Sequence, residues 1–337
     1  MTFTEFQKLK KIIVGKTYDQ KIFDYHKNQE FKNSIQIILH ETNEQLNELE
    51  KLLKTFDIEV IRPDILVDNF EENISLPWND YKFMSPPLMP RDVLFVYGNL
   101  AIDMFTKHDN RQFEHLSYKK NWIDDFVNLS MPQPKIEKNK NVELYFDAAN
   151  MIKLGKHILI SQSIEEDEKN GKGNLKGKEW IKNILPKFYD CEFVDFPIGG
   201  HIDGKICLVK PGLLITWNKD WIPEQLKNWD VILIEEFNPL PNEFLSLRKQ
   251  HFYGDFIQKW LKDWVGYVDE TVFDVNALSI DENNIIFTHF NKKVFDQLEK
   301  FKVNPIIWNF KHQYFWDGGI HCCTQDIARV GEMENYL

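Results

Sequence analysis

The chain has 337 residues, 43% of them hydrophobic and 28% charged. That is an ordinary globular balance, which excludes a disordered or fibrous polypeptide and leaves material for a large core. Acidic residues outnumber basic ones by 52 to 41, for a net charge of −11, the opposite of the basic footprint expected of a general nucleic-acid binder.

Near the N-terminus, MTFTEFQKLKKIIVG carries charges where a signal peptide needs its apolar segment. Its KKIIVG core reads as one half of a strand pair. Helical spacing follows in NEQLNELEKLLKTF (43–56), where Leu46, Leu49, Leu52 and Leu53 share one face. Residues 63–90 hold five prolines and end in SPPLMPRD, which reads as irregular chain able to line a site. A first hairpin is predicted at VLFVYGNLAI (93–102), and others at MIKLGKHILI (151–160), CLVKPGLLIT (207–216) and ALSIDENNIIFT (277–288). Residues 161–179, polar and glycine-rich, read as a mobile surface loop, and NKKVFDQLEKF (291–301) as a helix. The hairpins start roughly 55 to 70 residues apart, a period that points to repeated supersecondary units within one domain spanning 1–337. No apolar run approaches the roughly 20 residues of a membrane-spanning helix. The four cysteines, at 191, 207, 322 and 323, form neither a C-x-x-C pair nor a disulfide framework. The expectation is a soluble, reduced, cytoplasmic protein without metal or cofactor.

Three kinds of segment carry chemistry. In GGHIDGKICLVKPG (199–212), His201 and Asp203 are two apart, so on a strand they would face the same way. Such a pair suits general acid–base catalysis beside a cation-holding carboxylate, a surface pair of no function, or two metal ligands lacking their partners. In FWDGGIHCCTQDIARVG (315–331), a cysteine pair follows His321 in a glycine-flanked turn. A thiolate there would be a strong nucleophile, whereas Cys191 and Cys207 read as small buried hydrophobes. Asp92 in MPRDVLFVYGN and Asp147 in LYFDAANMIKLG stand beside apolar strands, where an aspartate often serves only as a turn or cap residue. Cysteine, histidine and several aspartates together imply a covalent step on a cationic substrate, since a cation offsets the clustered negative charge.

In their order along the chain, MPRDVLFVYGN, YFDAANMIKLGKHILISQS, HIDGKICLVKPG and GGIHCCTQD resemble the amidinotransferase family, within the guanidino-group-modifying superfamily that includes arginine deiminase. The resemblance runs from about residue 9 to residue 331. It implies an α/β fold, a five-bladed pseudo-symmetric propeller of ββαβ units around a central site, in agreement with the hairpin repeat. It further implies Cys322 as nucleophile, His201 as general acid/base and Asp147 as its carboxylate partner. Asp92 and Asp203 would grip the guanidinium through planar, bidentate hydrogen bonds. The implied partners are a small-molecule guanidino donor and an amine acceptor, with neither nucleic acid nor membrane, in a chain that is a homodimer in its relatives.

Substrate residues depart from the family's glycine enzyme. Where that enzyme holds a carboxylate-binding arginine, an ungapped count reaches Asp220, with Lys219 beside it. Asp269 and Glu270 stand where it has small hydroxyl residues, and Gly200 replaces a methionine. Donor and acceptor are therefore expected to differ from arginine and glycine. The enzyme alternative is a deiminase-type hydrolase, in which water resolves the intermediate, and the non-enzyme alternative is a guanidino-compound binder.

Overall fold

The computed structural model describes residues 1–25, 27, 29–66, 85–119, 122–132, 143–162, 164–236 and 272–337. Its strands form five three-stranded sheets of one design. In each, a central strand runs antiparallel to one neighbour and parallel to the other. All four predicted hairpins are present: β3 (Leu94–Tyr97) with β4 (Leu100–Asp103), β6 (Met151–Leu154) with β7 (His157–Ser161), β9 (Ile206–Lys210) with β10 (Leu213–Thr216), and β12 (Leu278–Asp281) with β13 (Asn284–Phe287). The third strands are β5 (Val127–Ser130), β8 (Glu192–Phe196), β11 (Asp230–Leu233) and β14 (Asn304–Ile307), each parallel to the second strand of its hairpin.

The fifth sheet joins the two ends of the chain. The first strand, β1 (Lys8–Val14), pairs antiparallel with the last, β15 (Thr324–Val330), and parallel with β2 (Glu59–Ile61). The half-unit read at the N-terminus thus finds its other half more than 300 residues away. Gly98 illustrates why the hairpin bends need their residue types: its φ is +59°, and a Cβ there would lie 2.2 Å from the Tyr189 hydroxyl.

Helical segments link second to third strands. The longest, α1 (Gln29–Lys54), starts well before the predicted leucine stripe. Ile35, Ile38 and Leu39 extend the buried face of Leu46, Leu49 and Leu53, so the whole stripe packs on the β1 side of the core. A single helical turn, α2 (Pro90–Val93), leads into β3. The expectation of a loop over 161–179 is not met, because this stretch contains α3 (Ile164–Asn170) and the start of α4 (Leu175–Ile184). Gly171, at φ +70°, separates the two, and Asn174 caps α4 by accepting from Gly177 N at 2.9 Å. The helix expected at 291–301 is α5 (Lys292–Lys300), capped by Asn291, and a short turn, α6 (Gln313–Trp316), precedes the last lead-in to a strand. No helix among the described residues is long and apolar enough to cross a membrane.

Candidate active site

Five of the residues singled out in the sequence lie at the same place in successive units, at most five positions ahead of a sheet's first strand. Asp92 precedes β3, Asp147 precedes β6, His201 and Asp203 precede β9, and Cys322 precedes β15. The remaining unit, ahead of β12, supplies Asp274 and Asn276, which sequence reasoning missed. All seven side chains are buried.

Asp147 stands where an N-cap residue would, before the short turn Ala148–Asn150, yet its side chain makes no cap hydrogen bond. Its Oδ2 instead meets His201 Nε2 at 2.9 Å. On the other side of the ring, His201 Nδ1 is 3.7 Å from Asp92 Oδ1. Burial and the charge of Lys172 oppose protonation of His201, but Asp92 and Asp147 outweigh them and raise its pKa above the ordinary value. Burial dominates at Asp147 and pushes its pKa up despite the His201 hydrogen bond. At Asp92 burial is overcome by His201, Arg111 and Lys172, which hold the carboxyl below the usual range.

Arg111 is a second residue that sequence reasoning passed over. Its Nη1 donates to Asp92 Oδ2 at 2.7 Å, while Nε and Nη2 donate to Glu114 at 2.6 and 3.1 Å. The bidentate clamp on Glu114 fixes the guanidinium, which in turn fixes Asp92.

The segment before β15 separates its two cysteines. Gly319 allows close approach of Asn276, whose Oδ1 would lie 2.6 Å from a Cβ at that position. Asn276 Oδ1 accepts from the backbone N–H groups of His321 and Cys322 at 3.0 and 3.3 Å, and its Nδ2 donates to Cys322 Sγ at 3.0 Å. The Cys322 thiol also reaches Asp203 Oδ2 at 3.4 Å. Cys323 points the other way, into the apolar core, with Sγ 3.6 Å from Met89 Sδ. Burial, then Asp92, pushes the Cys323 thiol far above its ordinary pKa, and burial raises Cys191 to about 11 and Cys207 to about 12. These three thiols are suited to packing rather than nucleophilic attack.

His201 and Asp203 do not share a strand. His201 has an extended backbone, but Asp203 lies in the 3-10 turn Ile202–Gly204, which breaks the strand alternation. Asp203 Oδ2 lies 2.8 Å from His321 Nδ1. Burial raises the Asp203 pKa, but the hydrogen bond and charge of His321, with His201, bring it below the ordinary value. Among the described residues, no group of three or more His, Cys, Asp or Glu side chains is arranged to hold a metal ion.

Gly200, at φ +82°, has nothing within 4 Å of a Cβ position, and its N–H donates to the buried Asp167 carboxylate. Asp220 sits in the turn Lys219–Trp221, with its side chain exposed and its backbone N–H bonded to Asn218 Oδ1 at 3.0 Å. Asp269 and Glu270 lie outside the described residues.

One oxygen each of Asp92, Asp147 and Asp203, Oδ1 in every case, is buried without a hydrogen-bond partner. Buried carboxylate oxygens are rarely left so. Oδ2 of Asp92 is taken up by Arg111 and Oδ2 of Asp203 by His321.

No family model matches the sequence. The chain is similar to inosamine-phosphate amidinotransferase 1 of Streptomyces glaucescens, 24% identical over 98% of this chain and 97% of the relative. It is likewise similar to L-arginine:L-lysine amidinotransferase of Pseudomonas savastanoi pv. phaseolicola, 24% identical over 100% of this chain and 96% of that one. Among solved structures it shares the fold of an amidinotransferase from Microseira wollei in the saxitoxin biosynthetic pathway. That match has a TM-score of 0.74 and 21% identity, and covers 100% of this chain and 99% of the other. The resemblance read from the four motifs is borne out by these relatives.

Proposed function

We propose that this chain, similar to amidinotransferases along its whole length, is itself one. It would transfer an amidino group from arginine or a related guanidino donor to an amine through a covalent amidino-cysteine. The observation that carries the reading is the set of three carboxylate oxygens without a hydrogen bond, on Asp92, Asp147 and Asp203, in the same buried cluster as a histidine and a cysteine thiol. A planar cation with several N–H donors answers that set.

In this reading the five sheets are the blades of one pseudo-symmetric propeller spanning 1–337, with the five lead-in segments meeting near its axis. The Cys322 thiolate attacks the central guanidino carbon. The bond from that carbon to the departing amine breaks as His201, charged between Asp92 and Asp147, gives that amine a proton. An incoming neutral amine then attacks the amidino carbon and passes a proton to His201, and the C–S bond breaks to return the thiolate. Asp92 and Asp203 hold the cation throughout and stabilise charge on the reacting carbon. Asp147 keeps the imidazole oriented. A homodimer in the cytoplasm completes the proposal.

Incubation with arginine and a panel of amines tests it. Ornithine together with a new guanidino compound is the expected product pair. Citrulline, or ammonia release without an acceptor, would instead identify a hydrolase. If intact-mass measurement after arginine alone finds no amidino adduct, and no product forms, the chain is a binder only.

A further inference from the structure

The Cys322 thiol stands against a carboxylate that should hinder its ionisation, and what lies behind that carboxylate bears on how a thiolate can form. Asp203 Oδ2, which the thiol reaches at 3.4 Å, is also 2.8 Å from His321 Nδ1. The other ring nitrogen, Nε2, is 3.3 Å from Glu5 Oε2. All three side chains are buried. A carboxylate only accepts, so an imidazole set between two of them satisfies both only with a proton on each nitrogen.

We propose that His321, clamped between Asp203 and Glu5, is a buried imidazolium whose positive charge offsets Asp203 and lets Cys322 ionise, with Glu5 as the residue that positions it. His321 and Glu5 touch neither substrate nor the reacting carbon in this scheme and act through Asp203 and Cys322. No bond is made or broken in the trio.

The charged surroundings fit. Six groups face the imidazole or its clamp: Asp203 before β9, Glu5 in the N-terminal segment, Arg91 in α2, Lys153 in β6, Cys207 in β9 and Asp326 in β15, which pairs with Arg91 and Lys153. Arg91 donates from Nε to the His321 carbonyl at 3.4 Å, and its Nη1 is 3.5 Å from Glu5 Oε2. Lys153 Nζ is 3.7 Å from Glu5 Oε1. Burial and the charge of Asp326 would raise the Glu5 pKa, but Lys153, Arg91 and the His321 hydrogen bond outweigh them and bring it down to about 2, so Glu5 remains an acceptor at neutral pH. Cys207 and Ser279 line, with Glu5, Asp203 and His321, a small cavity with room for about one water. The trio is largely buried, and there a fixed charge acts more strongly than in bulk water.

The inference rests on the amidinotransferase reading only for its consequence in turnover, because thiol ionisation can be followed with no substrate present. The experiment is the pH dependence of iodoacetamide alkylation at Cys322, with fragmentation of the modified peptide to separate it from Cys323. His321→Asn keeps a neutral donor towards Asp203, removes the positive charge and leaves the Glu5–Arg91–Lys153 contacts in place. Its profile should move to higher pH by roughly one unit or more, about tenfold slower at pH values below both midpoints. Glu5→Gln should move it the same way by less. Where turnover is measurable, kcat should fall with little change in donor KM.

A His321→Asn profile that superimposes on the parent's, or moves to lower pH, overturns the proposal. A direct measurement is available without any substitution. The 15N chemical shifts of the His321 ring should report two protonated nitrogens at pH 7.5, and one unprotonated nitrogen would overturn the proposal equally. Failure of the amidino-transfer assay with the expected alkylation shift intact would count against the proposed function and not against this trio.

Discussion

Asn276→Ala is the substitution that most sharply tests how the nucleophile is held. Asn276 is fully buried, and its Oδ1 is the acceptor for the backbone N–H groups of both His321 and Cys322. Removing the amide leaves those two donors buried without an acceptor, at about 1–3 kcal/mol each. Allowing for partial relaxation, the loss of stability should be roughly 2–5 kcal/mol, read as a lower urea midpoint. The same change frees the segment that aims Cys322 Sγ, and a displacement of about 1 Å at a reacting atom costs on the order of 10²-fold in rate. Asn276→Asp separates the two effects. It keeps the acceptor oxygen but sets a carboxylate where Nδ2 now donates to the sulfur at 3.0 Å, so alkylation of Cys322 should be slower than in the alanine variant. An alanine variant within about 0.5 kcal/mol of the parent and equally active would refute this account of the site.

Four further outcomes are expected. Cys322→Ala should abolish turnover in a folded protein, whereas Cys323→Ala, which touches only Met89 and the apolar core, should keep most activity while losing some stability; kinetics and urea unfolding read both. Asp147→Asn should lower kcat by about 10²–10⁴-fold and move the alkaline limb of its pH profile to lower pH, because Asp147 helps to raise the His201 pKa. Glu5, lowered from 4.5 to about 2 in the folded protein, contributes stability that is fully present above about pH 4.5 and lost as pH falls towards 2; Glu5→Gln should flatten that part of the urea-midpoint curve. Asp220→Arg should change the preference for arginine over agmatine by no more than about fivefold, since an exposed charge is worth at most about 1 kcal/mol; a shift of a hundredfold would put this position inside the donor site.

Much of this arrangement was legible because each hairpin declares itself and the chemical residues fall just ahead of it. Asp92, Asp147, His201 and Asp203 stand just ahead of predicted hairpins, whereas Cys322 was told apart from Cys323 only by the family resemblance. Asn276 was missed although FDVNAL precedes the fourth hairpin as YFDAAN precedes the second. An asparagine that binds backbone N–H groups 45 and 46 positions away leaves no local signature. Arg111 was hidden for a related reason: the sequence shows an Arg three positions before Glu114, a pattern common on any exposed helix, and not that a half-buried Arg111 joins the buried Glu114 to Asp92. The loop read at 161–179 failed because composition outweighed pattern. Gly171 and Gly173 mark a helix–helix break, and Asp167, which looks like a surface acid, is buried against Gly200.

The parts of the site that lie farthest apart in the chain explain why the two ends must pair. Glu5 and Cys322 flank β1 and β15, and the register of that pair sets Val14 opposite Thr324, two residues beyond the nucleophile. Gly15 N donates to the Cys323 carbonyl at 2.8 Å, continuing the contact up to the cysteine pair itself. Arg329 on β15 extends the same strand pairing into the buried charges, bonding the Gln7 and Ser279 carbonyls at 2.6 and 2.9 Å and Asp326 at 3.1 Å. Asp326 in turn binds Arg91, which reaches Glu5 and the carbonyl of His321. Closing the fifth sheet and assembling the nucleophile's surroundings are thus one structural event. No local stretch of sequence could have shown it, because none contains both ends.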